Sequence, residues 1–423
     1  MGFAPVFKIA ILLATYIFTE APRYEPRAWL EGRDRFPEGA ALTFVSSGSR
    51  RPVVPGFYAT ADANISFDGA RVLFSGRRTR STPWQIWELP LLRGAPRQIT
   101  SGDTDCIRPF YLPEDRIVYT RVEATESFLE TASLVDGKTK RLSFVPNRYL
   151  TDDVLRDGRI LFEAGTAKRE LYTVYPDGTG VEAVRCDHGP DRGNGRQLSS
   201  GDLIFDLGAG GLARFTSALA EQVADAPADT PNVAGPIAEV SLATWIVSER
   251  AASGYFGLYV WDTARKRLTP LDISANANSV DPVIVATRAA PTRFPSGLVP
   301  TRTTGNLLCL NAHVSRTPLP ETPLHTVRVY TEDNRESPQL LGETAIEPDG
   351  SFFIEVPADK PIRMELLDAA GRIIRAQHDW FWMRPSEQRI CVGCHAGPEH
   401  APDNKVPGIL LKTTTPVKML EAK

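Results

Sequence analysis

Short apolar stretches recur along the first two thirds of the chain with one local pattern. Each begins with a turn, continues with an arginine or an acid, and ends with three apolar residues of which the last is aromatic. The aromatics Phe74, Tyr119, Phe162 and Phe205 are 45, 43 and 43 residues apart. A related run, Thr244-Trp245-Ile246-Val247, follows at a similar step. The pattern predicts repeated β units of similar length.

A period of about 40–45 residues with several short strands per unit is typical of a β-propeller. One four-stranded blade cannot bury its apolar faces alone, whereas a ring of blades buries them all. Five units lie between about residues 60 and 270, and a sixth would combine 282–287 with the early strand 42–46. We therefore predict an all-β fold with a six-bladed propeller over 40–290. An array of β-sandwiches is the alternative.

The remainder of the chain divides into three further parts. Residues 291–305 are rich in Pro, Arg and Thr, a composition that predicts a linker. Residues 306–383 carry four alternating or apolar runs separated by Asp-Gly and Ala-Gly turns, which predicts a small β-sandwich-like middle domain. Residues 384–423 form a C-terminal segment and tail. The runs of the middle domain are 306–310, 325–330, 351–356 and 362–367.

The N-terminus has the order of an export signal. Lys8 precedes the apolar run Ile9 to Phe18, and Thr19-Glu20-Ala21 is a small-x-small cleavage site, so residues 1–21 are interpreted as a signal peptide. Ten apolar residues are too few for a stable membrane span, which needs about 20. Because Pro22 would follow the cut directly, cleavage elsewhere or a retained signal is an alternative. A buried N-terminal strand is another.

Net charge and cysteine content limit which partners and which kind of cross-linking are expected. The formal net charge is −3 and there is no basic excess, so a nucleic-acid partner is not expected. Five cysteines in 423 residues do not make a disulfide framework.

Cys391-Val392-Gly393-Cys394-His395 is the most specific motif in the chain. Two thiols separated by two residues can form thioethers with the two vinyl groups of a haem, and the adjacent histidine can ligate the iron. The motif predicts one covalent haem c, which is attached outside the cytoplasm and so agrees with an export signal. A redox disulfide and half of a zinc site are the alternatives.

The second axial ligand of the iron is open at this stage. His400 is too close in sequence to His395, which leaves His188, His313, His325, His378 and Met383. Cys186, Asp187 and His188 are consecutive and could also hold a second metal ion. The alternative is a buried cysteine beside a structural histidine.

Aromatic and basic residues surround the motif in sequence. Trp380-Phe381-Trp382-Met383 can shield a haem from water, form the edge of the β domain core, or do both. Arg372, Arg375, Arg384 and Arg389 can pair with haem propionates or be ordinary surface residues.

These motifs together resemble the hydrazine synthase alpha subunit-like family. The resemblance rests on Asp281-Pro282-Val283, Phe294-Pro295-Ser296-Gly297, the block from Gly305 to Asn311, Asp349-Gly350-Ser351-Phe352, Val356-Pro357-Ala358-Asp359, Trp380-Phe381-Trp382 before the haem motif, and Ala401-Pro402-Asp403-Asn404-Lys405-Val406-Pro407. It implies a Tol-type propeller followed by a β-rich middle domain that ends in a haem c motif. Alpha chains of that family continue into a domain with a second haem, whereas this sequence ends 28 residues after His395. Hydrazine synthesis is therefore not carried over.

Three functions fit these features. The first is electron transfer by a periplasmic, or otherwise extracytoplasmic, monohaem protein whose propeller docks a redox partner or subunit. The second is a haem-dependent oxidoreductase acting on a small, nitrogenous molecule. The third is a binding scaffold or sensor without catalysis. They differ in the expected iron: six-coordinate and low-spin for the first, open and able to bind carbon monoxide for the second.

Overall fold

The computed structural model describes residues 14–185, 189–208, 210–216, the backbone of 221–224, 233–315, 318–320, 322–332, 338–393 and 403–420. The chain divides into two compact units. One comprises Met1–Arg141, Asn147–Leu171 and Pro190–Arg293, and the other Leu142–Pro146, Tyr172–Gly189 and Phe294–Lys423. Among the described residues, none forms a helix with the length and apolar character that crossing a membrane requires.

Six four-stranded sheets account for residues 16–284 and confirm the six-bladed propeller. The described part of the chain first forms three strands of the blade that closes the ring, interrupted by a 3-10 helix at Ala28–Glu31, and then builds five blades in order. The strands are β1 Tyr16–Ala21, β2 Ala41–Ser46 and β3 Ser49–Pro52; β4 Ala59–Ile65, β5 Arg71–Arg77, β6 Gln85–Pro90 and β7 Arg97–Gln98; β8 Asp105–Leu112, β9 Arg116–Val122, β10 Ser127–Ser133 and β11 Thr139–Arg141; β12 Tyr149–Val154, β13 Ile160–Ala164, β14 Glu170–Val174 and β15 Glu182–Ala183; β16 Arg192–Gln197, β17 Leu203–Leu207, β18 Leu212–Thr216 and β19 Glu221–Ala224; β20 Val233–Ser241, β21 Thr244–Arg250, β22 Phe256–Asp262 and β23 Arg267–Asp272; and finally β24 Asn278–Ile284.

The ring closes through both ends of the propeller sequence. Strand β24 pairs antiparallel with β1, which in turn pairs with β2, so the closing sheet has the order β24-β1-β2-β3. The predicted non-local sixth blade is thus confirmed. Its N-terminal strand β1, however, lies within the predicted signal peptide 1–21.

The boundary of the signal peptide at residue 21 is wrong. Tyr16, Ile17, Phe18 and Ala21 are at most 4% exposed, and they lie in the middle of the closing sheet. Cleavage after Ala21 would remove the strand that joins β24 to β2. The propeller therefore begins at Tyr16 rather than at residue 40, and the alternative of a buried strand holds for 16–21. Residues 1–13 lie outside the described part of the chain.

The repeated apolar runs are the second strands of the blades. Phe74, Tyr119, Phe162 and Phe205 lie on β5, β9, β13 and β17, and each is at most 1% exposed. The run at Thr244 is the corresponding strand β21. Three-residue apolar runs mark these strands because they are covered by neighbouring blades on both faces.

The first strand of each blade lines the axis of the ring. Neighbouring first strands contact one another in the order β4, β8, β12, β16, β20, β24 and back to β4. Each pairing is interrupted by a β-bulge. At five of these six bulges one residue adopts positive φ, namely Asp62, Arg108, Asn194, Gly235 and Asp281. A bulge redirects a side chain out of the regular alternation, and here it brings polar side chains to the axis.

The middle domain is a sandwich of two sheets, as predicted. The strands are β25 Thr304–Cys309, β26 Thr326–Thr331, β27 Gln339–Ala345, β28 Phe352–Pro357, β29 Ile362–Leu367, β30 Ile373–Ala376, β31 Gln388–Cys391 and β32 Val417–Lys418, with one short helix, α1, at Gly408–Lys412. The sheets have the orders β31-β25-β28-β32 and β27-β26-β29-β30. Their facing apolar residues, including Leu307, Val329 and Ile354, form one core.

Two predicted boundaries of this domain differ from the structure. Strand β25 begins at Thr304, inside the predicted linker 291–305. Strands β31 and β32 come from the predicted tail 384–423, and both pair in parallel with strands of the first sheet. The segment that carries the haem motif is therefore part of the sandwich.

Candidate functional site

The first cysteine of the motif is fixed by the sheet. Cys391 is the last residue of β31 and lies opposite Cys309 on the parallel strand β25. Its carbonyl oxygen accepts a hydrogen bond of 2.9 Å from the amide of Leu310. Cys391 is half-buried and packs against the sandwich core. The thiol therefore starts from a rigid strand end, while the motif continues beyond it.

The surroundings of Cys391 favour the protonated form of its thiol, because they raise its pKa. Burial is the main cause that raises the pKa of Cys391, and the carboxylates of Glu387 and Glu182 raise it further, while Arg389 opposes them. A redox-active Cys-x-x-Cys pair has a lowered thiol pKa, because the thiolate is the nucleophile. The environment of Cys391 thus disfavours the redox-disulfide alternative.

Gly393 brings the motif against the loop that follows β25. A Cβ atom on Gly393 would lie 2.4 Å from the carbonyl oxygen of Val314 and 2.8 Å from Val314 Cβ. Such distances exclude any side chain unless the backbone moves. The same loop packs on Gly350, where a Cβ would lie 2.4 Å from Asn311 Oδ1. The glycine in the motif is therefore required for packing.

The remaining residues of both predicted sites lie outside the described residues. These are Cys394 and His395 of the haem motif and Cys186, Asp187 and His188 of the second site. The structure does bring the flanks of the two sites together, because Glu182 on β15 acts on the thiol of Cys391. Within the described ranges, no three His, Cys, Asp or Glu side chains converge to hold a metal ion.

The structure distinguishes among the candidate axial ligands. His313 is exposed and precedes Val314, the residue in contact with Gly393. His325 precedes β26 on the other sheet, where its amide donates to the carbonyl of Leu367. Met383 is fully buried in the sandwich core and is not available to a metal. His188 and His400 fall outside the described residues.

The aromatic segment before the motif is mainly core. The indole nitrogen of Trp382 donates a 2.9 Å hydrogen bond to the carbonyl of Gly178, and its ring lies edge-on to Phe144. Phe381 belongs to the sandwich core. Trp380 lies under the guanidinium of Arg363, 4.9 Å from its ring centre. The interpretation as core edge therefore accounts for Phe381 and Trp382.

Within the described residues, Arg384, Arg389 and Arg372, all considered for propionates, pair with carboxylates of the chain itself. Arg384 pairs with Asp359 at 2.7 Å and lies over the ring of Phe144. Arg389 pairs with Glu387 at 3.0 Å, and Arg372 pairs with Asp368 at 2.7 Å. Pairing with a propionate would have to displace these carboxylates.

A second polar cluster lines the axis of the propeller, and sequence reasoning missed it. Arg35 pairs with both Asp62 and Asp281, and the two carboxylates come from the bulges of β4 and β24. In the same cluster, Arg108 forms a salt bridge of 2.9 Å with Asp152. All five side chains are less than 10% exposed. One feature of the sequence could have indicated these bulges: a proline directly follows the bulge residue in three first strands, at positions 109, 236 and 282.

The chain of charges extends to the fourth blade. Asn194 donates to Asp206 at 2.6 Å, and Asp206 accepts from Arg169 at 2.7 Å. Glu163 lies beside Arg169 but neither of its carboxylate oxygens has a hydrogen-bond partner among the described residues. Burial, followed by the charge of Asp152, raises the pKa of Glu163 well above its ordinary value.

A cleft of about 40 Å³ opens near Arg35. Its lining includes Asp34, Asp105, Trp29 and Trp84, next to Asp62 of the axial cluster. Asp34 is engaged by Arg77 and by the indole of Trp84. Burial raises the pKa of Asp105. The cleft has room for only one or two water-sized molecules.

A protein-family model matches the sequence of the middle domain. Residues 318–396 match the family model described as the hydrazine synthase alpha subunit middle domain. A stretch of 58 residues is 36% identical to hydrazine synthase subunit alpha from Kuenenia stuttgartiensis. That stretch is 14% of this chain and 7% of the relative.

The fold is similar over a larger part of the chain. The structure of Kuenenia stuttgartiensis hydrazine synthase matches with a TM-score of 0.81 at 16% identity, over 95% of this chain and 72% of that one. TolB from Acinetobacter baumannii matches with a TM-score of 0.51 at 12% identity, over 64% and 66% of the respective chains. These matches confirm the propeller fold and, with the sequence match, the resemblance to the alpha subunit family.

Proposed function

From the premise that its middle domain is of the hydrazine synthase alpha type, we propose that the chain is an extracytoplasmic, monohaem c-type cytochrome-like protein. In this proposal Cys391 and Cys394 attach the haem and His395 ligates its iron. The activity is electron transfer, and the propeller is the platform that docks a redox partner or subunit. The observation that carries the proposal is the Cys391–His395 motif starting at the half-buried end of a sheet strand.

The described residues fit such a group. The first thiol is held in place by the pairing of β31 with β25, and Gly393 allows the motif to pack against the loop at Val314. The raised pKa of Cys391 is consistent with a thiol that is modified once during maturation and does not cycle as a thiolate. Structural positioning of one attachment point limits where a bound ring can lie.

When bound, the haem would supply a single-electron redox centre. The chain's own contribution is to hold and shield it. The sandwich core behind Cys391 excludes water on that side, and this disfavours the charged form of a bound group. The carboxylates of Glu182 and Glu387 act in the opposite direction, because negative charge stabilises a more positive centre.

The decisive experiment is to mature the chain in a host that attaches haem c and to measure the intact mass. We expect the mass of one haem above the polypeptide, and a reduced absorption spectrum of the c type. Cys391→Ala and Cys394→Ala should each lose the two-thioether product, whereas Cys106→Ala, remote from the motif, should retain it. A colourless protein with the mass of the polypeptide alone would contradict the proposal. The remaining candidate function would then be a binding scaffold.

A haem-dependent oxidoreductase acting on a small nitrogenous molecule is the second candidate. The observation that favours it is the fold similarity to hydrazine synthase over 95% of this chain. The two candidates differ in the sixth position of the iron. A reduced spectrum unchanged by carbon monoxide supports electron transfer, and a spectrum shifted by carbon monoxide supports the enzyme. His313→Ala tests whether that histidine closes the position.

We also propose a metal ion at Cys186, Asp187 and His188. Its support is the sequence, which places three potential metal-ligating side chains at consecutive positions. Elemental analysis of the purified protein should show a second metal besides iron, lost in His188→Ala and retained in His325→Ala.

A further inference from the structure

One turn of the middle domain, residues 347–351 between β27 and β28, supports the haem motif on its N-terminal side. Gly350 in this turn has a φ of 84°, and its carbonyl oxygen accepts a 2.8 Å hydrogen bond from the amide of Ala312. The loop that contains Ala312 continues to Val314, which packs against Gly393 of the motif. The turn therefore holds the loop on which the motif rests.

The same turn holds the segment that follows the motif. Asp349 Oδ2 accepts a 2.6 Å hydrogen bond from the amide of Gly408, and Ser351 Oγ accepts a 2.9 Å hydrogen bond from the amide of Ile409. Gly408 and Ile409 are the first two residues of α1. The first amides of a helix have no partner within it, so the side chains of the turn satisfy two of them.

The carboxylate of Asp349 divides its two oxygens between these tasks. Oδ1 closes the turn by accepting from the hydroxyl of Ser351 at 2.7 Å and from the amide of Ser351 at 3.0 Å, while Oδ2 holds Gly408. Burial raises the pKa of Asp349, but the hydrogen bonds from Ser351 and Gly408 outweigh burial and keep that pKa below its ordinary value. The hydrogen bond to Gly408 is therefore charge-assisted, which makes it stronger than a neutral one.

Cys394 and His395 lie in sequence between Gly393 and Gly408, the two points that this turn supports. A segment held at both ends has fewer conformations than one held at a single end, and a group attached to it is oriented more narrowly. We propose that Asp349 is a positioning residue for the haem, because it anchors the C-terminal end of the attachment segment and thereby sets the orientation of the ring. This inference rests on the proposed haem attachment, and Asp349 acts through the segment rather than as a ligand.

The first measurement uses the full chain made without haem attachment. In Asp349→Asn, hydrogen–deuterium exchange at the amide of Gly408 should become faster by at least about tenfold, because a hydrogen bond to a charged acceptor is lost. Ser351→Ala removes the acceptor of Ile409 and keeps the carboxylate, so it should speed exchange at Ile409. Unchanged exchange in both variants would overturn the anchor.

The second measurement uses the chain matured with haem. Asp349→Asn should shift the reduction potential and change the visible circular dichroism of the haem, which depends on how the ring is oriented in the protein. A potential and a dichroism equal to those of the parent, together with faster exchange at Gly408, would overturn the positioning role alone. A parent chain that attaches no haem would overturn the proposed function and the positioning role together, and the exchange measurement would then report on the anchor by itself.

Asp368→Asn is the matched control. Asp368 accepts hydrogen bonds from the amides of Ala370 and Arg372 in the turn between β29 and β30 on the other sheet. Among the described residues, the hydrogen bonds of its carboxylate stay within that turn. Both variants should lower the melting temperature, whereas only Asp349→Asn should change the exchange at Gly408 and the haem signals. Haem signals changed equally by Asp368→Asn would show general destabilisation and contradict the proposal.

Discussion

Cys309 and Cys391 lie opposite each other on adjacent parallel strands, and their side chains are on the same face of the sheet. Cys309 is 3% exposed and belongs to the sandwich core, whereas Cys391 is at the border of that core. The haem motif thus begins beside a second, more deeply buried cysteine.

The raised pKa of Cys391 predicts that its thiol is alkylated slowly at neutral pH. In a Cys394→Ala chain made without haem attachment, alkylation of Cys391 at neutral pH should be slower than that of an ordinary exposed thiol. The rate should increase with pH through and beyond 9.0, the ordinary pKa of the group. Glu182→Gln should speed the reaction and Arg389→Gln should slow it, because these charges act in opposite directions. Mass spectrometry of the labelled peptide measures the rate; fast labelling at neutral pH would show that the thiol is ionised.

Gly393→Ala should disturb the motif. The added methyl would collide with the backbone of Val314, and overpacking of this kind costs about 1–3 kcal/mol. We expect a lower melting temperature and a smaller fraction of protein with attached haem. Gly297→Ala is the control, since that position has nothing within 4 Å and should change neither quantity. Full haem loading at unchanged stability would show that the loop at Val314 does not position the motif.

The N-terminal strand predicts where processing can occur. A chain that begins at residue 14 retains β1 and the hydrogen bond from the amide of Val285 to the carbonyl of Thr15, and it should fold. A chain that begins at Pro22 lacks β1 and should fail to form a cooperative propeller. Circular dichroism melting compares the two. The intact mass of exported protein should place any cut before Tyr16, and a stable protein starting at Pro22 would contradict the closing sheet.

Glu163 predicts a pH dependence of stability. Because the folded pKa is raised, the folded protein holds this proton more tightly than the unfolded chain, so stability should decrease as pH rises above the ordinary value of 4.5. Glu163→Gln should flatten that slope and, in mildly alkaline buffer, raise the unfolding free energy by about 1–3 kcal/mol. Urea unfolding across pH measures both. Glu38→Gln, at an exposed site, should leave the slope unchanged.

The sequence predicted the second strands of the blades but, apart from β24 in the closing blade, not the first strands, for a physical reason. Second strands such as β5 are apolar on both faces, so three hydrophobic residues in a row mark them. First strands such as β8 and β12 carry Arg108 and Asp152 at bulges, where the charges compensate one another across blades. Local hydrophobicity contains no record of a partner more than 40 residues away.

The motif was recognisable because covalent haem attachment fixes residue types and spacing. Its surroundings were not, since they depend on tertiary contacts. The pairing of β31 with β25 and the approach of Glu182 to Cys391 join segments that are far apart in sequence. The strand at 16–21 was mistaken for part of an export signal because a buried strand and the apolar core of a signal have the same composition.

Closure of the ring by β1 and β24 also sets the order of assembly. Strand β1 is synthesised before the five intervening blades, so it can pair with β24 only after those blades have been made. Contacts so distant along the chain slow folding and leave strand edges exposed to aggregation in the meantime. Until β24 has been made, one edge of β1 is without its partner strand, and the closing sheet is therefore completed after the other five.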